Sequence, residues 1–217
     1  MKRIFIVRHG RTKWNLEKRF QGANADSPLL SSSKKDCIYL AGFLDKNVFS
    51  KIYSSPIKRA KLTAKITLNY SKRYNIQDLL DEKGFSEIGM GKWEGVTSKE
   101  VKNRYPRLFQ KLVNHQDDKN FSNFKMESFS HARKRFRKTI NMVLDSIGDN
   151  ENILIFSHGV ISHLGIKELT QVNNLEPLKN LSTSILKVTQ NKHFIIEGYN
   201  DIGYLPYINE KGNKTLI

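Results

Sequence analysis

A single cysteine, Cys37, stands in 217 residues, and that scarcity excludes an internal disulfide and any metal cage built from thiolates. No apolar stretch is long enough to span a bilayer. The one near the start, Ile4-Phe5-Ile6-Val7, stops after four residues at Arg8, too short for a secretory leader. Triplets such as Asn180-Leu181-Ser182 therefore carry no glycosylation message, and the expected location is the cytoplasm without membrane attachment. Acidic residues are also few. Twenty-one Asp and Glu against 37 Lys and Arg leave a net charge of +16, which favours solubility and attraction to anions. There is no long internal repeat and no linker. Residues 1–217 read as one domain, with monomer and homodimer both open.

What is present begins with that short apolar run. Four β-favouring residues predict a buried strand, and Arg8-His9-Gly10-Arg11-Thr12 comes at its carboxyl end. In open α/β sheets this end is where ligands bind. Two arginines beside an imidazole suit an anion better than a core. A small, polar loop through Gln21-Gly22 leads to a helix, with Ser33 predicted as its N-cap and Cys37, Leu40, Ala41 and Leu44 as its apolar face. A second strand over 51–53 runs into Ser55-Pro56, a cap-and-proline start for a helix carrying Arg59. Residues 76–79 predict a third strand.

A glycine-punctuated loop, Phe85-Ser86-Glu87 to Glu94-Gly95, comes next, and its Gly-Lys pair fails the Walker spacing. Thr97 and Glu100 form a capping box, Pro106 interrupts the helix after it, and 114–123 reads as a mobile polar connection. From Phe129 to Ile147 apolar residues recur at steps of three and four, the clearest helix of the chain. Arg133, Lys134, Arg137 and Lys138 crowd its other face. No aromatic interleaving accompanies them, so they read as a solvated surface and argue against nucleic acid as a partner. A buried strand at 152–156 ends in Ser157-His158-Gly159, repeating the opening pattern. A closing hairpin over 184–188 and 193–197 precedes a tail read as loop from Tyr199.

Strands alternating with helices predict an α/β three-layer sandwich with a mostly parallel central sheet, so the two strand-end histidines can share one rim. Four blocks in order carry a resemblance: Arg8-His9-Gly10-Arg11-Thr12-Lys13-Trp14-Asn15, Ser54-Ser55-Pro56-Ile57-Lys58-Arg59-Ala60, Phe85-Ser86-Glu87 with Gly91-Lys92-Trp93-Glu94-Gly95, and Ser157-His158-Gly159. The chain resembles the histidine phosphatase superfamily, the phosphoglycerate-mutase-like group, along nearly its whole length. The resemblance implies His9 as the phosphorylated nucleophile, Glu87 as proton donor, and Arg8, Arg59 and a protonated His158 as the phosphate clamp. It implies that Asn15, Gln21, Gly22 and Gly159 join Arg8 and Arg59 in binding substrate. It also implies that 97–128 form a helical insertion, with specificity residing in 99–126. No cofactor or metal is called for, because the arginines supply the positive charge.

Departures from the pattern favour the phosphatase branch. Family mutases carry an arginine and a tyrosine after the acid-loop glutamate, whereas Glu87 precedes Ile88-Gly89-Met90. The expectation is a metal-independent hydrolase of small phosphorylated metabolites, binding a phosphoester or inorganic phosphate. A phosphoglycerate mutase and a catalytically weak polyanion-binding protein are the alternatives.

Overall fold

The computed structural model describes residues 1–206. Its elements are β1 (Lys2–Arg8), α1 (Lys13–Leu16), α2 (Ser31–Leu44), β2 (Lys51–Ser54), α3 (Lys58–Tyr70), β3 (Leu79–Asp81), α4 (Ser98–Arg104), α5 (Pro106–Val113), α6 (Phe129–Asp145), β4 (Asn152–Ser157), α7 (Gly159–Thr170), β5 (Thr183–Val188) and β6 (Phe194–Asp201). Six strands form one sheet in the order β3-β2-β4-β1-β5-β6. The pairs β1–β4, β2–β4 and β2–β3 are parallel, and β5 and β6 close the sheet antiparallel. The mostly parallel α/β architecture expected from the sequence is present.

Side-chain alternation along the central strands builds two cores. Ile4, Ile6, Ile153 and Ile155 face α6 and α7, where Phe136, Ile140 and Leu164 pack. Phe5, Val7, Leu154 and Phe156 face the opposite layer, with Leu40 and Leu44 of α2 and Ala64 and Leu68 of α3. A strand buried on both faces must be apolar at every position, which is why these segments read as unbroken runs. Among the described residues no helix is long and apolar enough to cross a membrane.

Several boundaries differ from the sequence reading. Ser33 lies inside α2 and does not cap it; its Oγ accepts the Arg11 N–H at 2.8 Å. The start of α2 is set instead by pairing of distant backbone, Leu30 N–H to Arg11 O and Lys13 N–H to Pro28 O. Helix α3 starts at Lys58, not at Pro56, and the Ser55 hydroxyl accepts the Ile57 N–H just ahead of it while also meeting His158. Residues Ile76–Asp78 form a 3-10 turn, and the third strand begins only where β2 offers a partner, at Leu79. The polar connection after α5 contains a 3-10 turn at Lys119–Phe124, anchored by Phe121 and Phe124 against Trp93. Strand β6 runs on through Tyr199 to Asp201 past a bulge in its pairing with β5, with Asn200 at φ +56°. The part of the predicted tail loop beyond Pro206 lies outside the described residues.

The Thr97–Glu100 capping box and the break at Pro106 form as predicted, and α6 starts on a Ser128 cap. On α6, Arg133 donates to His115 O, Arg135 pairs with Glu127, and Arg137 pairs with Glu168. Three of the arginines on this helix are thus tied into the protein.

Candidate active site

Strands β1 and β4 are parallel neighbours, and Arg8 stands directly opposite Ser157 in their register. The two strand-end histidines therefore leave the sheet side by side. Their rings lie 5.2 Å apart in an edge-to-face arrangement. Arg59, in the first turn of α3, reaches back over the end of β2, and its Nε donates to His9 Nε2 at 3.3 Å. The other side of the imidazole is fixed as well, with Nδ1 2.8 Å from Gly10 O. A carbonyl can only accept, so Nδ1 carries the proton and Nε2 keeps its lone pair. Burial, then the charges of Arg59 and Arg8, hold the His9 pKa well below the usual value, and the ring is neutral.

Both guanidiniums are buried. Arg8 NH1 donates to Leu178 O at 2.5 Å, and burial lowers its pKa to about 10, still cationic at neutral pH. Arg59 is anchored at three further points: Asp26 at 2.9 Å, Gly22 O at 2.7 Å and Ala25 O at 3.2 Å. One side chain thus holds both the His9 imidazole and the 22–26 loop.

Glu87 sits against the N-terminus of α7. Its carboxylate accepts N–H groups from Val160 at 3.1 Å, Ile161 at 2.8 Å and Ile88 at 3.0 Å. The loop that carries it is fastened from outside the site. Arg135 donates to Gly84 O and Ser86 O, and forks onto Glu127, which accepts the Gly89 N–H at 3.3 Å. Burial pushes the Glu127 carboxyl upward, but the hydrogen bond and charge of Arg135 outweigh it and leave the pKa lowered. Ser157 Oγ adds a bond to Phe85 O at 2.8 Å.

His158 is fully buried and stands immediately before α7, where its side chain makes no capping hydrogen bond. Its Nε2 lies 2.8 Å from Ser55 Oγ, and its Nδ1 has no partner among the described residues. Burial, followed by Arg59, His9 and Arg8, drives its pKa well below the usual value. In this state the ring is neutral. Three positive or potentially positive neighbours make a further charge costly.

A cavity of about 50 Å³ opens among these groups, lined by Arg8, His9, Asn15, Arg19, Gln21, Gly22, Arg59 and Glu87, with Phe20, Ile88, Met90 and Val160 as its apolar wall. Asn15 Oδ1 accepts the Thr12 N–H at 3.0 Å, and the Thr12 hydroxyl stands 3.0 Å from that oxygen and 3.1 Å from Gln21 Oε1. Gly159 is buried at the start of α7 and does not line it; Val160 does. Arg11 is also outside the lining. A wider groove of about 650 Å³ runs along α5 past Tyr105, Arg107 and Lys111, and no imidazole or buried charge converges on it.

The geometry lines this cavity of about 50 Å³ with the neutral His9 imidazole, the buried cations Arg8 and Arg59 and the Glu87 side chain, and sets the His158 ring 5.2 Å from that of His9. The sequence model of the histidine phosphatase superfamily (branch 1) matches residues 4–202, nearly the whole chain. The chain belongs to this superfamily. It is 31% identical over 160 residues to phosphoserine phosphatase 1 of Hydrogenobacter thermophilus, covering 74% of this chain and 72% of that one. It is 26% identical to the metal-independent phosphoserine phosphatase of Arabidopsis thaliana, over 93% of this chain and 82% of the relative. Bacillus stearothermophilus YhfR has the same fold, with a TM-score of 0.82 and 24% identity over 94% of this chain and 99% of that structure. A mycobacterial glucosyl-3-phosphoglycerate phosphatase superposes with a TM-score of 0.78 at 20% identity, over 92% and 99% of the two chains. As a histidine phosphatase the protein is an enzyme of phosphate esters.

Sequence reading misses the supporting residues. Ser55 reads as a helix cap and Asn180 only as a triplet without glycosylation; Asn180 Nδ2 in fact donates to His9 O at 3.1 Å. Glu94, inside the quoted acid-loop block, accepts N–H groups of Ala23, Asn24 and Met90 and joins the two loops that wall the cavity. Nothing local distinguishes Asn180 or the reach of Glu94 to Ala23, because those partners are 171 and 71 positions away.

Proposed function

We propose that the protein hydrolyses small phosphomonoesters without a metal, through a phosphohistidine at His9. The observation that carries this reading is the His9 imidazole itself: neutral, its Nδ1–H held by Gly10 O, its Nε2 lone pair beside the Arg59 guanidinium. In the first step Nε2 attacks phosphorus and the P–O ester bond breaks. The departing oxygen takes a proton from Glu87. In the second, water attacks phosphorus, Glu87 takes its proton, the N–P bond breaks and inorganic phosphate leaves. Arg8 and Arg59 meet the charge spread over the equatorial oxygens. Asn15, Gln21 and Gly22 border the phosphate, and Gly159 opens the helix whose Val160 walls the same cavity.

Hydrolysis is favoured over mutation by the residues after Glu87. Ile88 and Met90 are buried in the cavity wall, and their side chains offer a phosphoglycerate carboxylate no hydrogen bond. Residues 97–128, with α4 and α5, are the insertion in which we expect leaving-group preference to reside. O-phosphoserine takes first place in a substrate panel, because two relatives carry that activity in their names.

The test is phosphate release from phosphoserine, phosphoglycerate and other monoesters in EDTA. Wild type should turn over and His9→Ala should lose at least about a thousandfold, as removal of a covalent nucleophile does. Acid-labile, base-stable labelling of wild type by radioactive ester locates the intermediate. Isomerised phosphoglycerate with little free phosphate would instead indicate a mutase.

A further inference from the structure

We propose that Ser55 fixes the tautomer of His158, so that His158 meets the phosphate as a neutral donor through Nδ1–H. Both side chains are fully buried, and the contact between Ser55 Oγ and His158 Nε2 is 2.8 Å. Ser55 Oγ also accepts the Ile57 N–H at 3.3 Å. The hydroxyl has one proton to give, and His158 Nε2 is the acceptor beside it.

Counting unmet groups separates the protonation states. With the imidazole proton on Nδ1, Ser55 donates to Nε2 and a single group, Nδ1–H, waits for a partner. With the proton on Nε2, both the Ser55 hydroxyl proton and the Nδ1 lone pair are left buried and unpaired. Two buried orphans disfavour that state relative to one. A doubly protonated ring would also orphan the serine proton, and would stand among the charges of Arg8, Arg59 and Arg135 beside the His9 ring. The first state leaves one unmet donor, and a phosphate oxygen satisfies it. A lone pair at the same place would repel the anion. Ser55 is thus a positioning residue acting through His158, a role separate from capping α3, which starts three residues later.

The assignment of phosphate as the group that Nδ1–H meets rests on the phosphatase reading above; the tautomer does not. The experiment is ¹⁵N NMR of histidine-labelled protein in EDTA, with the His158 signals identified by their loss in His158→Gln. The expected wild-type spectrum shows Nδ1 protonated and Nε2 bare at neutral pH, with the Nδ1–H signal moving when inorganic phosphate is added. In Ser55→Ala the proton should redistribute toward Nε2, and turnover should fall about tenfold or more. Ser55→Thr, which keeps the hydroxyl, should restore both. A wild-type ring protonated at Nε2 or at both nitrogens would overturn the proposal, whatever Ser55→Ala does. So would an unchanged tautomer in a folded Ser55→Ala. An Nδ1–H tautomer with no phosphate release from any ester would leave Ser55 its role and count against the phosphatase reading alone.

Discussion

At the scale of single residues, the site depends on atoms that approach too closely to tolerate a methyl group. Gly22 has φ +65°, and a Cβ there would lie 2.2 Å from Glu94 Oε1. That carboxylate also holds Ala23, Asn24 and Met90, so it has nowhere to retreat without releasing both loops. Gly22 O is in turn an anchor of Arg59. Gly22→Ala is expected to lower kcat/KM by about a hundredfold, since ångström-scale misplacement of a clamp has that effect. Left-handed backbone plus the clash should also cost about 1 kcal/mol or more of stability. Steady-state kinetics beside a thermal melt of the same preparation checks both, and unchanged kinetics would refute the coupling of Gly22 to Arg59.

At the scale of elements, the acid loop has no regular structure of its own between the 3-10 turns at Lys83–Phe85 and Gly91–Trp93. Its place is set by α6, through Arg135 and Glu127, and by the N-terminus of α7. Arg135→Met keeps the aliphatic stem but removes the donor of Gly84 O and Ser86 O and leaves the Glu127 carboxylate with only the Gly89 N–H and His131. It should cost about 1–3 kcal/mol of stability. On the proposed mechanism it should also lower kcat more than it raises KM, since Arg8 and Arg59 keep their anchors while the loop that carries Glu87 loses its support. Denaturant unfolding and saturation kinetics measure the two effects. This pair also marks the limit of sequence reading. The strands β1 and β4, the apolar face of α6 and the histidine and arginine blocks are legible because each is local: a run, a period, a motif. The starts of α2 and α3, the position of β3 and the bulge in β6 are decided by pairing with backbone far along the chain, and local propensity carries no trace of it.

At the scale of the whole molecule, the buried histidines govern behaviour in acid. His115 and His163 lie 5.3 Å apart between the end of α5 and α7, and burial, then neighbouring charge, lowers their pKa values to about 3 and about 4. His163 Nδ1 shares a bond with the Tyr199 hydroxyl. His9 and His158 are lowered likewise. Unfolded histidine takes up its proton near pH 6.5, a value of roughly that size in model peptides. Above that pH both states are neutral and full stability is present. As pH falls below about 6.5 the unfolded chain binds protons that the folded one refuses, and stability declines until the folded pKa values are reached. Thermal melts from about pH 8 to about pH 4 should show a plateau that gives way below about 6.5, and a His115→Phe, His163→Phe double variant should flatten the decline. A melting temperature independent of pH across that range would contradict the burial of these rings.

The central position of β1 has a consequence in time. Its partners on either side are β4 and β5, so Arg8 and His9 are not framed until the chain has reached Val188. At about 5–20 residues per second, a ribosome takes roughly ten to forty seconds to cover that distance. Throughout it the Ile4–Val7 segment exists without the neighbours that bury it. His9 is therefore made well before the strands that frame it, and its assembly is exposed to any factor that competes for a nascent apolar strand.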